Sequence, residues 1–362
     1  MEEERLIQPE QLGPENIIEN DLPAESLADK VRIISPARLV LRRFFRSRLS
    51  VVGLVIIVAL LLFSFVFPYF TGWGEKEIDY SPVTSYNYDE IKVTDSDGNI
   101  YIVYEVSEFV NKVNKFAKPF TYSDADHGSR IHILGTDENG RDIFTRLMYG
   151  GQKSITLSLF TVIIYNFLGI ILGAFAGYVG KWADQLIMRI VDIINCIPSL
   201  PIMLILSAIF ESWKIPQEMR IYYMMGVLTF INWTGTARLV RGQILFLREQ
   251  EYMVAADALG MSAPRKIFKH LVPNIIPQLI VSFTLGLGSM ILYEATLGYL
   301  GLGFPIEVAS WGKMVNGATN PDILQNYAFV WVPAGICIIL AVLGFNFVGD
   351  GLRDALDPKM KR

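Results

Sequence analysis

The sequence predicts an all-α membrane protein with six transmembrane helices, on three observations. Apolar residues fill 52% of its 362 positions and charged ones only 19%, below the quarter usual in soluble domains. The apolar residues gather in runs of about 20, enough to cross a hydrocarbon core of roughly 30 Å. The connections between runs divide into basic and poorly basic sets, the asymmetry that sorts loops between the two sides of a bilayer.

Taken in order, 1–48 is acidic at its start, with scattered Pro and Asn and no apolar run before the arginines. It reads as a cytoplasmic segment with no cleavable signal peptide. A first span covers 50–70, within a unit at 49–70. The loop 71–153 is long enough to be exported whatever its charge. Inside it, 91–93, Asp97-Gly98 and 100–106 predict a hairpin with a type I′ turn. Phe109, Val110, Val113 and Phe116 predict a short amphipathic helix over 107–118. The loop is therefore expected to form a small α+β extracytoplasmic lobe.

Five more spans follow, at 154–178, 186–210, 222–244, 276–302 and 328–348, making a core over 154–350. Gly169, Gly173 and Gly177 give the second span a small-xxx-small notch for close backbone packing. Pro198 and Pro201 predict a kink in the third, because each removes a backbone donor. Residues 351–362 form a tail.

Orientation follows from the basic residues. Arg32, Arg38, Arg42, Arg43, Arg46 and Arg48 precede the first span. Arg238, Arg241, Arg248, Arg265, Lys266 and Lys269 lie between the fourth and fifth, and Arg353, Lys359, Lys361 and Arg362 follow the sixth. On the other side, 211–221 holds only Lys214 and Arg220, and 304–327 only Lys313. A multi-pass protein of the cell membrane with both termini in the cytoplasm satisfies this pattern.

The most informative stretch is the polar, helix-forming segment 251–274, inside a loop at 245–274. Residues 253–259 are Ala-rich and favour helix. Gly260 stops that helix, and Ser262 with Pro264 starts another turn. The small residues Ala255, Ala256 and Ala258 offer a face that a partner's cleft can close around. An ordinary surface helix at the lipid headgroups is the competing reading. No phosphate-binding G-x-x-x-x-G-K-[ST] loop occurs, and 150–154 (GGQKS) has the wrong spacing, so any ATP is hydrolysed elsewhere. Cys196 and Cys337 read as packed hydrophobes, while His127, His132 and His270 lack metal-ligand spacing. No metal, cofactor or nucleic acid is expected on this chain.

Three motifs carry a resemblance. The run 251–274, with Ala255-Ala256, Gly260 and Pro273, is similar to the EAA loop of ABC-importer permeases, and the match continues upstream through 233–242 and 247–249. Residues 132–142, HILGTDENGRD, resemble the H-x-L-G-T-D-x-x-G-R-D signature of the C-type permease of oligopeptide, dipeptide and nickel importers. Residues 294–303, EATLGYLGLG, resemble that subfamily's fifth-span motif. Two departures stand out. Val254 replaces a usual Glu, and 71–126 is longer than its counterpart.

The resemblance implies the type I ABC-importer permease fold and alternating access for oligopeptides or dipeptides. It also implies partners: a homologous second permease, two ATPase subunits that bind ATP and Mg, and an extracytoplasmic solute-binding lipoprotein, all around a subunit embedded in lipid that is not itself an enzyme. Val254, Ala255, Ala256, Asp257, Gly260, Met261 and Pro264 carry over as the coupling surface, although Asp257 stands where Arg is frequent. Nickel or another metal chelate remains an alternative cargo, and a stand-alone channel or ion-driven carrier an alternative machine.

Polar residues within spans have two readings each. Glu294 either lines the translocation pathway or pins neighbouring helices, since a charge in the bilayer centre is costly. Asn166, Asn195, Asn232 and Asn346 suit hydrogen bonds between helices, with Asn232 and Asn346 also pathway candidates. Arg189 and Asp192 are expected to pair along one helix. Asp137, Arg141 and Asp142 form a charged cluster that either caps the short helix feeding the second span or meets the solute-binding protein. Gly135, Thr136 and Gly140 belong to the same extracytoplasmic signature.

Overall fold

The computed structural model describes residues 36–94, 100–124 and 128–356. Helix α1 (Pro36–Arg46) meets α2 (Arg48–Phe65) at Ser47, whose hydroxyl accepts from the Ser50 N–H and caps the second helix. An insert follows, with strands β1 (Val83–Thr94) and β2 (Ile100–Asn111) and the short pair β3 (Thr121–Tyr122) and β4 (Ile131–His132). Beyond it the chain is helical: α3 (Ile143–Val179), α4 (Lys181–Asn195), α5 (Ser199–Ser212), α6 (Gln217–Arg248), α7 (Glu251–Ala258), α8 (Ala263–Lys266), a π turn at Ile267–Leu271, α9 (Val272–Tyr299), α10 (Trp311–Val315), α11 (Pro321–Asn326) and α12 (Ala328–Leu356).

Among the described residues, four rods are long and apolar enough to cross a membrane: α2, α3, α12 and the continuous Ala263–Tyr299. The pair α4 and α5 adds a fifth if its two arms, bent by 75°, make one broken span. That bend is the kink expected in the third span. Pro198 immediately precedes α5 and Pro201 lies in its first turn, where a missing N–H leaves no hydrogen bond unmade. Helix α6, at 32 residues, has the length but not the apolarity, because Asn232, Thr234, Thr236, Arg238 and Arg241 interrupt it.

The glycine notch packs α3 against α6. A Cβ on Gly169 would lie 2.5 Å from Thr236 Cβ, and one on Gly173 would lie 2.4 Å from the Ala237 carbonyl oxygen. On Gly177 it would lie 2.9 Å from the Arg241 carbonyl oxygen. Without side chains in the way, the two backbones touch, which is how helices associate where lipid removes the hydrophobic drive. Hydrogen bonds flank the seam: the Thr236 hydroxyl donates to Asn166 Oδ1 at 3.0 Å, and that of Thr234 to Asn195 Oδ1 at 2.9 Å.

The insert departs from expectation. No helix forms over 107–118. Instead β2 continues to Asn111 in an antiparallel register running from Val83↔Asn111 to Thr94↔Ile100. The β-branched Val103, Val106 and Val110 favour strand, and residues 83–90 supply a partner that the expected three-residue first strand lacked. Helix-like spacing of apolar residues could not reveal that partner. The Asp97-Gly98 turn lies outside the described residues.

Candidate functional site

Helix α6 ends at Arg248, and after Glu249 and Gln250 the chain turns into α7. Met253, 1% exposed, packs α7 into a cluster with Ile244, Leu271 and Ile275, and Ala256, three residues on, is 4% exposed. The outward residues are Val254, Ala255, Asp257, Ala258 and Leu259, with Val254 61% and Leu259 76% exposed. Ala256 therefore does not share the outward small face with Ala255 and Ala258. It faces inward, because it lies one turn after the buried Met253 on the same side of the helix.

The helix stops at Gly260. The Gly260 N–H donates to Asp257 O at 3.0 Å and the Met261 N–H to Ala256 O at 3.2 Å, a Schellman closure. Gly260 has a φ of +66°, and nothing lies within 4 Å of the place a Cβ would occupy. Glycine is needed there for its backbone, not for space. Met261 is half-buried, and Pro264 stands exposed in the first turn of α8. Lys266, from the same short helix, pairs back onto Asp257.

The crossbar is tied to the bundle. The Arg248 guanidinium donates to Tyr178 O at 3.0 Å, satisfying an orphan carbonyl at the end of α3. Arg241 makes two parallel bonds to Asp184 of α4, at 2.8 and 2.6 Å. Asp192 pairs with Arg238 of α6 at 2.7 Å, not with Arg189 as the spacing predicted. A cation placed N-terminal to its acid is the weaker arrangement along one helix, and α6 brings a better-placed guanidinium. The ends of α3, α4 and α6 are thereby joined beside α7.

A second cluster caps α3. Gly135 (φ +85°) and Gly140 (φ +72°) allow approaches that a Cβ would block, 2.1 Å from Ala117 O and 2.4 Å from Val113 Cγ1. The Thr136 hydroxyl donates to Asn114 O at 2.6 Å and accepts from the Ala117 N–H at 2.8 Å. Asp137 Oδ1 accepts from the N–H groups of Asn139 and Arg141, at 2.8 and 3.0 Å. Asp142 is the N-cap of α3, its Oδ2 accepting from the Thr145 N–H at 2.7 Å. Arg141 and Arg146 both donate to Ile306 O, at 2.8 and 3.0 Å, which ties this loop to the segment after α9. Asp142 thus caps α3, while Asp137 and Arg141 bond within the loop and to the segment after α9.

Sequence reasoning missed the centre of the cap. His132 is fully buried, with Nδ1 2.9 Å from Asp142 Oδ1 and Nε2 3.1 Å from Asp79 Oδ2. Trp73 stacks on its ring at 4.3 Å. The Arg130 guanidinium lies 3.8 Å from the Trp73 ring centre and pairs with Glu77. Burial pushes the Asp79 carboxyl up, but hydrogen bonds from Ser81, Asn114 and His132 outweigh it and hold the group below its usual 3.8. The hydrogen bond from Arg130 likewise lowers Glu77. Asp79 stands 53 residues before His132, and no motif marked it.

The structure does not bring the pathway candidates together. Glu294 is fully buried on α9, with the Ser154 and Ser310 hydroxyls beside its carboxyl group. Asn232 is exposed on α6 and donates to its own helix at Leu228 O, 2.8 Å away. Asn346, half-buried on α12, lies with Oδ1 3.4 Å from the place of a Cβ on Gly288.

Comparison with known proteins adds a family. Residues 169–362 match the binding-protein-dependent transport system inner membrane component, and residues 35–96 the N-terminal TM domain of oligopeptide transport permease C. The dipeptide transport system permease protein DppC of Alkalihalophilus pseudofirmus is 35% identical over 333 residues, 92% of this chain and 93% of that protein. The oligopeptide transport system permease protein OppC of Bacillus subtilis is 34% identical over 354 residues, 96% and 99% of the two chains. The probable D,D-dipeptide transport system permease protein DdpC of Escherichia coli is 40% identical over 231 residues, 64% and 74% of the two.

Proposed function

Since the chain belongs to the binding-protein-dependent transport system inner membrane components, as a permease subunit of an ATP-binding-cassette importer, we propose that it carries oligopeptides or dipeptides by alternating access. The names of its relatives support the cargo. In this reading six spans cross the membrane, α6 supplying the one that apolarity alone does not mark, and both termini are cytoplasmic. The insert between α2 and α3 is extracytoplasmic, where it meets a solute-binding protein. A homologous permease completes the pathway, and two partner subunits bind ATP and Mg.

Force enters through α7. The observation that carries this is its division of faces: Met253 and Ala256 anchor it, while Val254, Ala255, Ala258 and Leu259 stand out with little bulk. A surface helix serving only the fold has no need of exposed apolar residues ending in a rigid, glycine-closed corner. Arg248, Arg241 and the glycine seam pass its displacement to α3, α4 and α6. Asn232 and Asn346 remain the pathway-lining candidates; Glu294, with no exposure, serves packing between α9 and its neighbours.

The test is Gly260→Val in vesicles holding the complete transporter. A β-branched residue at φ +66° strains the corner by about 1–2 kcal/mol or more and resets the angle between α7 and α8. Uptake per ATP hydrolysed should drop several-fold while hydrolysis continues. A normal ratio of uptake to hydrolysis would remove α7 as the coupling element.

A further inference from the structure

Helix α1 has three distinct faces. Its inner face is Val40 and Phe44; Phe44 is 6% exposed, and its ring lies 3.3 Å from the place a Cβ would take on Gly351 of α12. Next around the helix come Leu41 and Phe45, 59% and 53% exposed, followed past Ser47 by Leu49 at 62%. Beyond them stand Arg38, Arg42 and Arg46, one turn apart in a single row, with Arg48 just after. No acidic residue occurs anywhere from 36 to 74. Arg42, Arg46 and Arg48 have no ion-pair partner among the described residues.

We propose that α1 is an in-plane anchor whose arginine row binds the headgroups of anionic phospholipids. The order of faces is what that location demands: one side on the protein, the next in the acyl region, and the cations reaching outward to phosphate. The exposed apolar flank continues into Val52 and Val55 of α2, 48% and 60% exposed, on a helix apolar enough to cross a bilayer. Lipid that covers α2 thus extends without interruption under Leu41 and Phe45. A guanidinium fits two phosphate oxygens at once, and Arg42, Arg46 and Arg48, with no ion-pair partner among the described residues, attract an anionic surface and repel a basic one. Phe44 in contact with α12 fixes the level of α1, at the end of the bundle where Arg353 also lies. The inference rests on the membrane reading above, and on nothing about cargo or coupling.

The experiment uses the full chain, purified with its native partners, with Cys196→Ser and Cys337→Ala and a fluorophore on Phe45→Cys. It is reconstituted in phosphatidylcholine vesicles with about 25 mol% phosphatidylglycerol, and one lipid or the other carries a headgroup nitroxide. At low salt, quenching by labelled phosphatidylglycerol should exceed quenching by labelled phosphatidylcholine at least threefold, taking roughly 1 kcal/mol per arginine near the surface. The ratio should collapse toward one in Arg42→Gln/Arg46→Gln/Arg48→Gln, and in high salt, and survive largely in the three Lys variants. Equal quenching by both lipids in the unaltered row, or a preference unchanged by the Gln variants, overturns the proposal. Absence of quenching by either lipid overturns it too, since α1 would then be covered by protein. None of these readings requires transport or ATP, so failure of the coupling test leaves them interpretable.

Discussion

Lys266 reaches back across the Gly260 corner to pair with Asp257, joining the two arms of the crossbar. The pair is unequal: the Lys266 side chain is 10% exposed and that of Asp257 62%. An exposed carboxylate that loses its partner is rehydrated, whereas a largely covered ammonium regains water less readily and keeps only Tyr178 as a partner. Asp257→Ala should therefore lower the thermal midpoint of the purified chain at least twice as much as Lys266→Met. Equal shifts would contradict the asymmetry, and no shift in either would mean that the pair holds nothing together. Asp257 also has its partner inside its own chain, which gives it work even where the family often has Arg.

The glycine seam predicts a site-specific intolerance to bulk. Gly173→Ala puts a methyl 2.4 Å from the Ala237 carbonyl oxygen, with backbone on both sides. The two helices must part, at a cost of about 1–3 kcal/mol. Gly242→Ala on α6 meets nothing within 4 Å and should be neutral or slightly stabilising. Thermal melting of the two variants side by side checks this, and similar midpoints would remove the seam as a close contact.

Acid should loosen the cap before the helices. The Asp79 carboxyl sits below its usual 3.8 in the folded chain. Its contribution is thus fully present above that value and is lost as pH falls through the lower, folded one. Glu77, lowered by Arg130, behaves the same way. Hydrogen exchange over 114–142 should accelerate below about pH 4, and Asp79→Asn should remove much of that acid dependence. Unaltered acid dependence in the variant would show that other groups govern it.

Glu294 is a test of pathway against packing. The carboxyl group is fully buried beside the Ser154 and Ser310 hydroxyls, and an amide oxygen can accept from them as well, so the isosteric Glu294→Gln should keep stability within about 1 kcal/mol and leave uptake nearly unchanged. Glu294→Ala, which leaves a void, should cost about 2–4 kcal/mol. Loss of uptake in the Gln variant at full stability would return Glu294 to the pathway.

What the sequence revealed follows from what is local. Apolar runs, the Pro198 kink, the Gly169–Gly173–Gly177 notch and the Gly260 stop depend on neighbours a few residues away, and each is present. What it hid depends on partners far along the chain. Residues 107–111 became strand because 83–87 lay opposite, and His132 drew its second carboxylate from Asp79. Ala256 turned inward beside Met253, whose cluster includes Leu271 and Ile275, and Asp192 left Arg189 for Arg238 on α6. In each of these cases the local pattern was real and a tertiary partner decided the outcome.

The most direct measurement is cross-linking at the outward face of α7 in the assembled transporter. Ala255→Cys and Ala258→Cys, each paired with a cysteine scan of the ATPase subunit's surface, should form a short disulfide with that subunit, its yield changing when ATP binds. The buried Ala256→Cys should form none. Should Ala255→Cys and Ala258→Cys react only with membrane-soluble reagents and never with the ATPase, α7 faces lipid and the proposed route of force is contradicted.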